Sequence, residues 1–275
     1  MATGIVNPYA LTSGFDVLTD VPWHTLYWGD GPLAQATFSG INGSLITSNH
    51  VPDEMGTSGD NLIPKTSSTG IRQYSAFSLM NGLGCWHAPG SYTGDYLRLS
   101  GNENAWTKGP LPGTGYDAYS VIGIFTSRQA TSETTNRAFY TSLGSGSHTD
   151  GVSVLGRTSY SGYHVLSRGT AGATATTVAA PINTIHSQRF SLNTGTQLST
   201  FYYVNGALRV NWGAAAAATM TNVRLLGSYS NQWYGMANAV MGLWGVVPHN
   251  GYINSEPWFS DLETWLMDTY GVAGL

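Results

Sequence analysis

From about Gly70 onward, turn-forming residues recur at short intervals with β-branched and aromatic runs between them. That rhythm suits many short antiparallel strands and little else. It predicts strands over Tyr74 to Leu79, Tyr96 to Leu99, Tyr119 to Thr126, Arg137 to Thr141, Gly151 to Leu155, Tyr163 to Ser167, Ser187 to Leu192, Ser199 to Val204 and Val223 to Leu226. No repeat of about 20 to 50 residues is evident, which sets aside solenoids and propellers.

The sharpest local signal is Phe201-Tyr202-Tyr203-Val204-Asn205-Gly206-Ala207-Leu208-Arg209-Val210-Asn211-Trp212. Asn-Gly tolerates the two positive φ angles of a type I′ turn, so Val204 should pair with Ala207 across a two-residue loop. Strict alternation from there puts Phe201, Tyr203, Leu208, Val210 and Trp212 on one face. Tyr202, Val204, Ala207 and Arg209 fall on the other. Because the charge lies in the second set, the first is the predicted core face.

Ala237 to Val247 is a mostly apolar run that suits a strand covered on both faces, and its glycines point to a bulge or close packing. Helical periodicity enters only at the end of the chain. Ser260-Asp261-Leu262-Glu263 fits a capping box, Leu262, Trp265, Leu266 and Tyr270 follow at helical spacing, and Gly271 supplies a left-handed stop. A helix over residues 260–270 should dock that stripe on the sheets.

An all-β chain of 275 residues can bury its core as one domain. Residues 71–275 are read as that domain. Residues 1–70 differ in texture, with aromatic patches at Trp23 and Tyr27-Trp28 and turn-rich stretches around Pro52-Asp53-Glu54 and Pro64-Lys65-Thr66. They are read as a partly irregular N-terminal docking arm. Only 9% of residues are charged, against about 25% in an ordinary domain, so Ser, Thr, Asn and Gly must cover most of the surface. The 41% hydrophobic and 12% aromatic content supplies the apolar area that a disordered chain lacks.

Eleven Lys and Arg against 15 Asp and Glu give a formal charge of -4, which offers no grip on a phosphate backbone. No stretch approaches the ~18 apolar residues of a membrane span. Neither nucleic acid nor membrane is an expected partner. A lone Cys85 cannot close an internal disulfide. Met1 to Pro8 shows neither a basic n-region nor an unbroken apolar h-region, so synthesis in a cytoplasm without Sec export is expected.

The order of elements resembles the concanavalin A-like lectin/glucanase superfamily, specifically the laminin-G-like modules frequent in bacteriophage virion proteins. Three stretches carry the resemblance. Phe201 to Leu208 looks like the family's "YxNG" hairpin. Val223-Arg224-Leu225-Leu226-Gly227 followed by Gly235 to Val246 looks like its late strand pair. Glu263 to Val272 looks like the terminal "E…YL…KYG" helix of the phage versions. The resemblance covers the C-terminal third and extends loosely back to about Tyr74. It implies a two-sheet antiparallel jelly-roll sandwich with a short C-terminal helix, and a glycan-binding habit by analogy of fold.

Glucanases of that superfamily carry catalytic carboxylates at alternate positions of one strand, because alternate side chains share a face. No such spacing occurs here. Asp53-Glu54 reads as solvated surface, and Glu256, Asp261 and Glu263 belong to the terminal helix region. Many relatives bind calcium, yet no Asp-x-Asp-x-Asp-Gly run exists, and Asp16, Asp20, Asp30, Asp95 and Asp150 leave only a site assembled from distant loops. No cofactor is expected. Cys85-Trp86-His87 is awkwardly spaced for zinc, and Cys85 reads as core packing beside a strand end. No Gly-x-Ser-x-Gly elbow appears, and Gly144-Ser145-Gly146-Ser147 reads as a hairpin turn. No catalytic residue is assigned.

What remains is a surplus of amphipathic rings, 16 Tyr and 9 Trp, many beside turns. Such rings stack on sugars or anchor protein partners at little entropic cost. The candidate ligand-binding residues are Trp86, Tyr92, Tyr116, Tyr160, Tyr163, Trp233 and Tyr234, with ordinary packing as the competing role for each. These readings together describe a non-catalytic phage virion surface protein, a capsid decoration or a tail or fibre component, with a lectin-like module for adhesion. A glycan-binding receptor protein is the alternative, and a glycan hydrolase or lyase a further one. Expected partners are other virion proteins, host-surface glycans and copies of itself in a symmetric homo-oligomer such as a trimer. The expected location is the virion surface.

Overall fold

The computed structural model describes residues 14–47, 50–56, 60–65, 70–89, 96–100, 106–109, 111, 115–127, 137–143, 151–157, 162–169, 172–179, 184–193, 199–212, 220, 222–227, 234–235 and 239–275. The first third holds β1 (Thr25–Trp28), α1 (Pro32–Thr37), β2 (Ser44–Leu45), β3 (Leu62–Lys65), β4 (Arg72–Phe77), β5 (Leu83–Ala88) and β6 (Tyr96–Leu99). The middle holds β7 (Ala118–Ser127), β8 (Arg137–Leu143), β9 (Gly151–Arg157), β10 (Gly162–Gly169), β11 (Gly172–Ala179) and β12 (His186–Asn193). The last holds β13 (Ser199–Val204), β14 (Ala207–Trp212), β15 (Asn222–Leu225), β16 (Tyr234–Gly235), β17 (Ala239–His249) and α2 (Phe259–Tyr270).

These strands form two sheets. One runs β14-β13-β12-β7-β17-β5-β4-β2, with β1 also pairing β17. The other runs β11-β10-β9-β8-β15-β6-β3. Pairing is antiparallel apart from a short parallel contact of β16 with β8. The architecture is the all-β two-sheet sandwich with a C-terminal helix that the strand rhythm predicts.

The first sheet is covered on both faces, so the molecule is three layers deep. Between the sheets lie Tyr27, Trp86, Tyr119, Phe125, Phe190, Tyr202, Trp244 and their neighbours. On the outer face a second core joins Leu26, Trp28, Cys85, Ile122, Ile124 and Leu243 to Phe259, Leu262, Trp265, Leu266 and Tyr270 of α2. Strand β17 runs between these cores, and all eleven of its residues are buried. Its predicted bulge falls at Gly242, where the register shifts between Met241 and Leu243.

The described part of the first seventy residues contributes strands to both sheets. β1 pairs with the central strand β17, β2 extends the first sheet on β4, and β3 closes the second on β6. Trp23, Tyr27 and Trp28 are core residues. Asp53, expected on the surface, is buried. Its carboxylate accepts the Leu26 amide at 2.9 Å and pairs with Lys108 at 2.9 Å, while the Lys108 ammonium also donates to the His24 carbonyl at 2.6 Å. Asp60 is buried alongside, accepting from the Thr107 amide at 2.7 Å and hydroxyl at 2.9 Å. Glu54 is no solvated acid either, for it accepts the amides of Leu33 and Ala34 at 3.0 and 2.9 Å at the start of α1. That helix escaped the sequence reading because its six residues carry no capping side chain of their own.

The Asn205-Gly206 turn forms as predicted, with φ of 49° and 70°. The faces beyond it do not. Val204 pairs with Ala207 and Tyr203 with Leu208, but Tyr202 pairs with Val210, so Arg209 is an extra residue in a bulge. Tyr202, Val204 and Val210 point into the core, while Leu208 is 49% exposed. Replacing Leu208 with Ser should therefore change unfolding free energy by less than about 0.5 kcal/mol in denaturant titrations. Uninterrupted alternation would instead demand a loss of about 2 kcal/mol or more.

α2 buries the predicted stripe of Leu262, Trp265, Leu266 and Tyr270 and stops at Gly271, whose φ is 71°. The capping box is absent. The chain is wound into the helix before Ser260, because a 3₁₀ turn at Ile253–Ser255 leads into it and the Glu256 carbonyl accepts the Phe259 amide at 3.1 Å. Glu263 reaches forward to the Leu275 amide at 3.1 Å instead of back to the helix start.

Candidate functional site

The residues best placed for ligand work lie on the outer face of the first sheet, beside the start of α2. Strand β12 points Arg189 and Ser191 outward at alternate positions, and β13 sets Tyr203 opposite Arg189 and Phe201 opposite Ser191. The chain leaving β17 then crosses over this patch. Tyr252, Ile253 and Asn254 complete the walls of a recess with about 20 Å³ of room, lined otherwise by those four strand residues. Tyr252 forms the rim, 47% exposed, its ring 6.0 Å from that of Phe201 and tilted by 54°.

Arg189 dominates the electrostatics. It is only 2% exposed, with its guanidinium carbon 3.9 Å from the centre of the Tyr203 ring and 5.1 Å from that of Phe259. Its Nη1 donates to Asn254 Oδ1 at 2.6 Å and the guanidinium also bonds the Tyr203 hydroxyl, whereas among the described residues its Nε has no hydrogen-bond partner. Burial pushes the guanidinium below its ordinary pKa, and Tyr203 and the Glu263 carboxylate pull it back up. The stacked rings hold a cation that water reaches poorly.

Beneath Arg189, a polar chain runs into the sheet. The Ser191 hydroxyl lies 2.7 Å from that of Ser120, which lies 2.9 Å from His249 Nε2. A serine beside a histidine invites a nucleophilic reading, but the chemistry does not fit one. Burial, with the Arg189 charge adding to it, pushes His249 down to about 4, too weak a base at neutral pH. Ser120 is fully buried, out of a substrate's reach. The chain props the floor of the recess.

The candidates from the sequence are scattered. Trp86 is fully buried in the core between the sheets and presents no face to a ligand, because β5 is an interior strand. Tyr116 is 41% exposed. It precedes Asp117, whose carboxylate accepts the Gly251 amide at 2.8 Å, which puts it at the same end of the sheet as Tyr252. Tyr92, Tyr160 and Trp233 lie outside the described residues. For Tyr163 in β10 and Tyr234 in β16 the structure describes the backbone.

Arg189 and Tyr252 escaped the sequence reading, and Phe201 and Tyr203 were assigned to the core. The one available signal is an arginine inside a strand, followed by Phe190 and Leu192. Cys85 lies within β5, not beside its end, and burial pushes its thiol pKa up. Among the described residues no three His, Cys, Asp or Glu side chains group to hold a metal ion. Asp95 and Asp150 lie outside those residues.

No family model and no curated protein matches the sequence. Solved structures align with part of it. The receptor-binding domain of botulinum neurotoxin D aligns over 77% of this chain and 49% of its own length, at 11% identity and a TM-score of 0.49. The binding domain of botulinum neurotoxin DC, in complex with rat synaptotagmin II, aligns over 75% and 47%, at 12% identity and a TM-score of 0.49. A structure described for the dependence of botulinum neurotoxin type C cell entry on two ganglioside molecules aligns over 78% and 49%, at 11% identity and a TM-score of 0.48. The aligned part takes in about half of each of those chains.

Proposed function

We propose that this chain is a non-catalytic adhesion module that holds a glycan at the recess over Arg189. The observation that carries this reading is a half-exposed tyrosine, Tyr252, beside a second ring and above buried polar groups that are themselves held in place. Sugar rings pack their C–H faces on such aromatic surfaces, and their hydroxyls bond to fixed donors and acceptors such as Ser191 and Asn254. The strands supply a rigid base, so binding orders little of the protein.

The reading includes display on a bacteriophage particle, as a capsid decoration or a tail or fibre component in a symmetric homo-oligomer. Its support is the sparse charge of the surface and the resemblance of the C-terminal third to phage laminin-G-like modules. Host-surface polysaccharide is the expected ligand class. Tyr252→Ala should weaken saturable binding to bacterial polysaccharide about tenfold while shifting unfolding free energy by less than about 0.5 kcal/mol. Flat binding curves for the unmodified protein across a glycan array would remove the reading.

A further inference from the structure

We infer that the recess selects a sugar bearing a carboxylate. This rests on the reading of the recess as a glycan site and names the ligand's charge. Arg189 is buried with no carboxylate in ion-pair contact: among the described residues the ion pair is that of Lys108 with Asp53, and the side-chain oxygens bonded to Arg189 are those of Asn254 and the Tyr203 hydroxyl. Glu263 is close enough for its charge to be felt, but among the described residues it makes no ion pair with Arg189. A buried cation of this kind gains most from an anion brought to it, since attraction is strong where water is excluded.

The dimensions agree. The recess is small, about 20 Å³, which suits a group of carboxylate size better than a sugar ring, so the ring would stand at the rim beside Tyr252 and Phe201. A carboxylate seated there would meet a guanidinium with an unused Nε donor, the Ser191 hydroxyl and the Asn254 side chain. An acidic peptide fits less well. β12 and β13 both have sheet neighbours on each side, so no free edge is offered for a strand to add to.

The test uses the full chain and a panel of oligosaccharides containing galacturonic, glucuronic or sialic acid, each paired with its carboxyl-reduced form, measured by titration calorimetry. At least one acidic form should bind ten times more tightly than its reduced partner. Arg189→Met should close that gap, and Tyr252→Ala should weaken both forms alike. Should Arg189→Met not fold, Asn254→Ala, which frees the guanidinium from its aim, should narrow the gap. Equal binding of acidic and reduced forms overturns the carboxylate inference and leaves the adhesion reading standing. Binding of neither form by the unmodified protein overturns both. A poly-glutamate peptide that binds more tightly than every acidic sugar would transfer the site to acidic proteins and overturn the inference as well.

Discussion

Gly84→Ala should lose on the order of 4 kcal/mol of stability or more, among the largest effects expected of a single methyl group at the described glycines. The cause is the junction on β17, where β5 pairs with Ala239 to Met241 and β1 with Leu243 to Val246. The two strands meet there end to end, and a β-carbon on Gly84 would overlap the carbonyl of Gly29. In the reverse direction, one on Gly29 would stand 2.7 Å from the Cα of Cys85. The nearest atom on each side is backbone, so movement of the Gln35 side chain that also borders Gly84 does not relieve the overlap. Gly29 cannot retreat either, because its amide donates to the Gly242 carbonyl at 2.8 Å. Gly251→Ala is the control: its φ of 64° is strained for alanine, but nothing lies within 4 Å of the new methyl, so about 1 kcal/mol should be lost. Chemical denaturation of both variants decides the matter. Equal losses would mean that the close approach does not exist.

Acid should unfold the protein between about pH 6.5 and 4. His24, His186 and His249 are each pushed down to about 4, by burial before any other cause. The unfolded chain takes up a proton on each below about 6.5, while the folded chain refuses it. Stability is therefore complete above pH 6.5 and falls as the pH drops toward 4, by on the order of 3 kcal/mol for each histidine. Glu54 works the other way. Burial pushes it up to about 7 despite the two amides it accepts, so the folded chain holds its proton between about pH 7 and 4.5 and gains stability across that window. Asp30, also raised by burial, acts in the same sense as Glu54. Three histidines against these acids leave a net loss of a few kcal/mol. Denaturation midpoints at pH 7.5, 6 and 4.5 should fall in that order, and Glu54→Gln should steepen the fall. A flat profile would show that the histidines are not buried as described.

Why these features were invisible in the chain follows from what each depends on. Gly29 and Gly84 are 55 residues apart, and neither stands out among 35 glycines. Asp53 and Glu54 look like surface acids until the Lys108 ammonium and the first turn of α1 are folded onto them. Arg189 is one charge in a strand, and its two stacking partners come from β13 and from α2.

By contrast, local chemistry alone settled a good part of the fold. Turn residues between β-branched runs marked β6 and β13 to the residue and most of the longer strands to within two or three. Asn205-Gly206 specified its turn, Gly271 its helix end, and the spacing of Leu262, Trp265, Leu266 and Tyr270 the buried stripe of α2. Periodicity tells which side chains share a face, because geometry repeats every two residues in a strand and every 3.6 in a helix. It does not tell which face is covered. Here the first sheet is covered on both, so apolarity could not choose between Phe201 and Tyr202, and one bulge at Arg209 moved Val210 across. The recess exists only because the turn after β17 crosses two strands that the sequence places about fifty and about sixty residues away.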